Sequence, residues 1–134
     1  LIETHPMFNR ITMYEGSSID PKILEKVKEH TKNKKCVMVI LDSNHTHEHV
    51  LKELKLYSPL VTVGSYCILP DTFIEFFPPG YSSNHNKRPW DVGNNPYTAM
   101  KAFLKETNNF SIDKDLSNKA VITETIDGYL KRVS

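Results

Sequence analysis

The run Cys36-Val37-Met38-Val39-Ile40-Leu41 constrains the fold most, because apolar residues follow one another there without alternation. An unbroken apolar run of this length predicts a strand buried on both faces, as in a parallel sheet lying under helices. Its flanks agree. Upstream, Asp20 stands before Pro21 as an N-cap before a proline at the first helical position, and Ile23, Leu24 and Val27 recur on one helical face. The KNKK stretch at Lys32 to Lys35 suits the C-terminal turn and exit of that helix. Downstream, His49 to Leu56 reads as a second helix with Val50, Leu51, Leu54 and Tyr57 inward, and Tyr66 to Leu69 as a short strand ending at Pro70-Asp71-Thr72. An earlier β-prone run, Arg10 to Tyr14, ends at Gly16-Ser17-Ser18. The order β-α-β-α-β predicts an α/β domain with right-handed crossovers.

Between Phe73 and Asn95 the chain loses its period and becomes rich in Pro, Gly, Asn and Ser, which predicts a long functional loop. Helix returns at Pro96 to Glu106, with Ala99, Met100, Phe103 and Leu104 on one face. Two β-prone pieces follow, Phe110 to Ile112 and Ala120 to Thr125, joined through Asp113 to Lys119, and a turn at Ile126 to Gly128 leads into a last extended segment. A chain of 134 residues with 39% hydrophobic residues fits one domain, residues 1–134. With 17 Lys+Arg against 16 Asp+Glu, it lacks the charge footprint of a nucleic-acid binder. No apolar run approaches the ~20 residues of a membrane span, and no signal-peptide pattern opens the chain. Two cysteines, Cys36 and Cys67, both inside apolar runs, read as buried thiols in a reducing, cytoplasmic setting.

Ligands of open α/β sheets collect beyond the carboxyl ends of the strands. Three predicted strand ends carry polar residues: Gly16-Ser17-Ser18, Asp42-Ser43-Asn44-His45 and Asp71-Thr72. Asp42 and Asp71 can share a hard divalent cation such as Mg²⁺, or each can cap the helix that follows. His45, three residues past Asp42, reaches the same edge as a candidate general base; a capping or solvent-facing histidine is the alternative. His45 and His49 also have the i, i+4 spacing of two ligands on one helix face, although no HExxH pattern is present. Trp90 either lines a substrate pocket or pins the loop to the core, and Arg88 suits an anionic group or the rim of the site.

Four stretches, LDSNHTHEHVLKELKLYSPLV, PDT, RPWDVGNNPYTAMKAFL and NKAVITETIDGYLKRV, together resemble the cephalosporin hydroxylase family, which includes rhamnosyl and macrolide-sugar O-methyltransferases. The resemblance runs from EGSSID to KRV. It implies a Rossmann-like methyltransferase sheet with helices on both faces, strand order 3-2-1-4-5-7-6, and the cofactors S-adenosylmethionine and Mg²⁺. It also implies Asp42 and Asp71 as metal ligands, His45 as the general base for an acceptor hydroxyl, and Gly16, Ser17 and Ser18 as a turn beside the cofactor adenine. Two departures accompany it. Pro70 stands where the family has a glutamate ligand, and the glycine-loop strands that hold the cofactor would precede Leu1. The expectation is therefore a partial domain that is inactive alone, binds S-adenosylmethionine weakly or not at all, and associates with itself through the open edge of Cys36 to Leu41. The acceptor is expected to be a small-molecule hydroxyl on a sugar or secondary metabolite. Alternatives are a non-catalytic fragment, or an iron-dependent hydroxylase built on Asp42, His45 and His49.

Overall fold

The structure, a computed structural model, describes residues 2–134, with His85 described by its backbone alone. Helix α1 spans Pro21–Thr31, and Asp20 caps it by accepting from the Lys22 amide at 2.8 Å. Strand β1 (Val39–Ile40), helix α2 (His47–Tyr57) and strand β2 (Tyr66–Ile68) follow. Helix α3 (Pro96–Glu106) starts at a capping box in which Asn95 and Thr98 each accept from the other's backbone amide. Strand β3 (Phe110–Ile112), short helix α4 (Lys114–Lys119) and strand β4 (Tyr129–Arg132) complete the order.

The sheet has the order β1-β2-β4-β3, with β1 and β2 parallel and the other pairs antiparallel. It is an α/β sheet consistent with a Rossmann-like methyltransferase, and it reproduces the last four places of the expected strand order. Val39, Cys67, Leu130 and Ile112 form one row across it. Leu24 of α1, Val50 and Leu54 of α2, and Met100 and Phe103 of α3 cover that row and form the core. Burial there, with a smaller contribution from the nearby Glu53 carboxylate, pushes the Cys67 thiol up to about 12. On the opposite face α4 begins, its N-cap Asp113 accepting from Tyr66 Oη at 2.7 Å.

Several expectations are corrected. Of Cys36 to Leu41 only Val39–Ile40 pairs in the ladder, and burial alternates along the run: Val37 and Leu41 are buried, whereas Cys36, Met38 and Ile40 are exposed. The reason is that the helices cover only the face that carries Val39 and Leu41, and among the described residues nothing buries the face of Met38 and Ile40. Arg10 to Tyr14 forms no strand; Phe8–Arg10 is a 3-10 turn, and the β-prone residues beyond it have no ladder partner among the described residues. Ala120 to Thr125 is irregular, with Val121 and Ile122 almost fully exposed, because Asp113 caps α4 through the Leu116 amide and the antiparallel position is taken by Tyr129–Arg132. The long loop contains local helical turns at Thr72–Phe76 and Tyr81–His85.

Gly128 sets how closely β4 approaches β2. Its carbonyl accepts from the Leu69 amide at 2.9 Å, and a Cβ there would press into the Leu69 carbonyl oxygen and stand 2.8 Å from Thr125 Cγ2. The change Gly128→Ala is expected to destabilise the fold by about 1–3 kcal/mol, the usual cost of overpacking, read as a lower urea midpoint at unchanged slope.

Candidate functional site

The parallel register Val39↔Cys67 and Ile40↔Ile68 sends both strands out of the sheet at one edge. Asp42 leaves β1 and Asp71 leaves β2 at that edge, so the pairing alone brings two carboxylates from distant sequence together. Neither acts as a side-chain cap. The N-cap of α2 is Thr46, whose amide and hydroxyl both donate to Asn44 Oδ1 at 2.9 and 2.8 Å. Asp71 opens the Thr72–Phe76 turn with a left-handed φ of 56° and no capping hydrogen bond. A non-glycine residue in that region costs about 1–3 kcal/mol and persists where its surroundings hold it.

His45 fills the space between them. Its Nε2 lies 3.3 Å from Asp42 Oδ1 and its Nδ1 lies 3.2 Å from Asp71 Oδ2. One ligand atom from each of Asp42, His45 and Asp71 fits within a mutual spacing of 4.8 Å. Two carboxylate oxygens suit a hard divalent cation whose remaining shell would be water, since Pro70 adds no side-chain ligand and the imidazole beside them is a softer group. His47 and His49 do not join them. The His47 ring lies 2.8 Å from Thr98 Oγ1, and His49 Nε2 faces Ser18 and Ser43. The cluster therefore has one histidine and two carboxylates, not the two histidines and one carboxylate of a facial iron triad.

Beyond His45 opens a cleft of about 660 Å³ whose walls include Phe73, Phe77, Tyr81 and Trp90, with Asn86 and Arg88 among its polar groups. The Trp90 ring lies tilted against His45, at 44° and 4.7 Å between centroids, and the Arg88 guanidinium lies 5.3 Å from the Trp90 ring centroid. Both predicted loop residues thus line this cleft. On the other side of Asp42 lies a second cleft, of about 510 Å³, lined by Gly16, Ser18, Asp42, Ser43 and Tyr57 against apolar residues of α1 and β1. Gly16 has φ +145° with Ile23 packed against its α-carbon, a position that a side chain would not take. Ser17 is exposed and outside this lining; its carbonyl accepts from the Asp20 amide.

The whole chain, residues 1–133, matches the sequence model of the rhamnosyl O-methyltransferase/CmcI family. The chain belongs to this family. Rhamnosyl O-methyltransferases of Mycobacterium tuberculosis H37Rv and Mycobacterium bovis BCG are 34% identical to it over 127 residues, 91% of this chain and 47% of theirs. That of Mycobacterium leprae is 32% identical over 127 residues, 91% of this chain and 50% of its own. The chain spans about half the length of these curated relatives. No solved structure matches it.

Sequence reasoning missed three parts of this family member's site. The aromatic wall of Phe73, Phe77 and Tyr81 lies in the segment read as a long functional loop, in which only Arg88 and Trp90 were singled out. Loop bracing was missed as well: Glu75 Oε2 accepts from the Gly93 amide and Asn95 Nδ2, while Asp91 accepts from the Gly80, Ser83 and Val92 amides and from Ser83 Oγ. A stripe of His49, Glu53 and Tyr57 along α2 was the third; its i, i+4, i+8 spacing was not singled out.

Hydrogen bonds from Ser83, first its hydroxyl and then its amide, hold the Asp91 carboxyl down at about 2. A depressed carboxyl stabilises its surroundings above its ordinary value and loses that effect as pH falls through the lowered one. The Tyr81–Trp90 part of the loop is therefore expected to loosen as pH falls from 3.8 toward 2, read as a change in fluorescence of the single tryptophan that Asp91→Asn removes from that window.

Proposed function

We propose that this protein is an O-methyltransferase acting on a hydroxyl of a sugar or sugar-bearing small molecule, with S-adenosylmethionine as donor and a divalent cation such as Mg²⁺ as aid. The observation that carries this is the convergence of Asp42, His45 and Asp71 between two clefts, one aromatic and one beginning at the Gly16–Ser18 turn. The names of the relatives, rhamnosyl O-methyltransferase, support the reaction and the acceptor class. Flat aromatic walls beside Asn86, Arg88 and Asp71 suit a sugar, whose ring presents apolar C–H faces and a rim of hydroxyls. A cytoplasmic setting suits the two free cysteines, and no helix of the structure is long and apolar enough to cross a membrane.

Asp42 and Asp71 would hold the cation, with Gly16 and Ser18 beside the donor. Bound cation and sulfonium would supply, respectively, stabilisation of a developing oxyanion and an electrophilic methyl group. The chain's own residues do the rest. The Trp90 face and the aromatic wall orient the acceptor, and His45 takes the hydroxyl proton on one ring nitrogen as the oxygen attacks, while the carboxylate at the other nitrogen holds the imidazole in place. Between Ser18 and the aromatic wall, Asp42 and His45 stand where donor and acceptor would meet.

Calorimetric titration of this chain with Mn²⁺ or Mg²⁺ is expected to show one site, lost in Asp42→Asn and in Asp71→Asn. If neither the cation nor S-adenosylmethionine binds, the chain is a non-catalytic binding or assembly module. In a longer, active form of the protein, His45→Ala is expected to lower kcat about 10²–10⁴-fold with little change in KM for the acceptor. Met38 and Ile40, exposed on the open β1 edge, support association of two copies through that edge. Light scattering is expected to give a dimer, and a monodisperse monomer would count against it.

A further inference from the structure

Helix α2 carries a polar stripe that the reaction above does not use. His49, Glu53 and Tyr57, spaced i, i+4, i+8, lie on one face of the helix. Glu53 is 1% exposed in the middle of the protein, an unusual place for a carboxylate. Its Oε1 accepts from Ser43 Oγ at 2.8 Å and lies 3.6 Å from His49 Nε2, while its Oε2 is buried with no hydrogen-bond partner. Above it, His49 Nε2 lies 3.1 Å from Ser18 Oγ and 3.2 Å from Ser43 Oγ, and Tyr57 Oη donates to the Ser18 carbonyl at 2.5 Å.

The direction of these bonds follows from counting protons. Ser43 has one hydroxyl proton, and Glu53 takes it, so toward His49 Ser43 accepts and Nε2 carries the proton. The chain of bonds then runs from His49 through Ser43 to Glu53, with Ser18 gathered in by the same imidazole and by Tyr57. Ser43 directly follows Asp42, and Ser18 closes the Gly16–Ser18 turn.

We propose that His49 and Glu53 are positioning residues, a latch on α2 that fixes the Asp42 strand end and the Gly16–Ser18 turn at one separation. The latch touches neither the cation ligands nor the aromatic cleft, and it acts on both halves of the site at once. This rests on the proposed function for its consequence but not for its geometry. A buried carboxylate that merely filled space would be replaced without loss by an apolar residue of similar size, which is often neutral or stabilising in such positions. A latch would not survive that exchange.

The test compares Glu53→Leu, which fills the space and removes the acceptor, with Glu53→Gln, which keeps an acceptor for Ser43, and with Ser43→Ala as a smaller change. Hydrogen exchange of the full chain is followed at residues 16–18 and 42–43, beside Tm and Mn²⁺ affinity. Expected for Glu53→Leu is a Tm equal to or above that of the parent, together with about tenfold faster exchange at both segments and about tenfold weaker Mn²⁺ binding, the scale of effects from partners behind metal ligands. Glu53→Gln is expected to restore both, and Ser43→Ala to reproduce the loss. Unchanged exchange at both segments in Glu53→Leu and Ser43→Ala would overturn the latch, as would an unchanged Mn²⁺ affinity. Should the unaltered chain bind no Mn²⁺, the metal reading fails, and exchange alone decides on the latch.

Discussion

The structure depends on two residue pairs, Val39↔Cys67 and Ile40↔Ile68, in the parallel ladder of β1 and β2. Parallel pairing makes the two chains leave the sheet in the same direction, so polar residues just past each strand converge without any contact between them to draw them in. A slip of one residue would turn Cys67 out of the core and carry Asp71 away from His45. Register is held from the core side. Val39 and Cys67 lie under α2 and α3, and Leu130 of β4 continues the same row. Packing of apolar side chains thereby determines the position of charged ones.

That ordering explains the arrangement of His45. Two carboxylates brought to one edge repel, and the imidazole stands between them with one ring nitrogen directed at each. Trp90 closes over the ring from the loop side. The loop is held in turn by carboxylates of its own, Glu75 and Asp91, whose partners are mostly backbone amides. The site is thus assembled from a rigid sheet edge and a loop braced through its main chain, an arrangement that leaves loop side chains free to differ with the acceptor.

Much of this was legible in residues with strong local preferences. Asp20-Pro21 announced α1, the span Pro96 to Glu106 agreed with α3 at both ends, and the polar residues behind the apolar runs marked Asp42, His45 and Asp71. The resemblance led to the same three residues and to the family. What escaped depended on partners distant in sequence. Cys36 to Leu41 looked buried on both faces because hydrophobicity does not say whether a layer packs on each face of the sheet. Ala120 to Thr125 has the β-branched residues of a strand, but the ladder position beside β2 is taken by Tyr129–Arg132, where Gly128 permits the close approach. Glu53 was not singled out, since the partner its carboxylate accepts from, Ser43, lies outside α2.

The sheet order has a consequence for how the molecule is made. β4 lies between β2 and β3 although it follows both in the chain. As the sheet assembles, then, β3 has no place to dock before β4: its only ladder partner among the described residues follows it in the chain, and β2 has one side bare until residues 129–132 pair. Local contacts such as α2 against α3 can form as they emerge, whereas the long-range pairings that close the sheet come together late and in one step. The chain therefore carries an open, apolar strand edge until β4 is in place, and pairing of residues 129–132 is the step that closes the sheet.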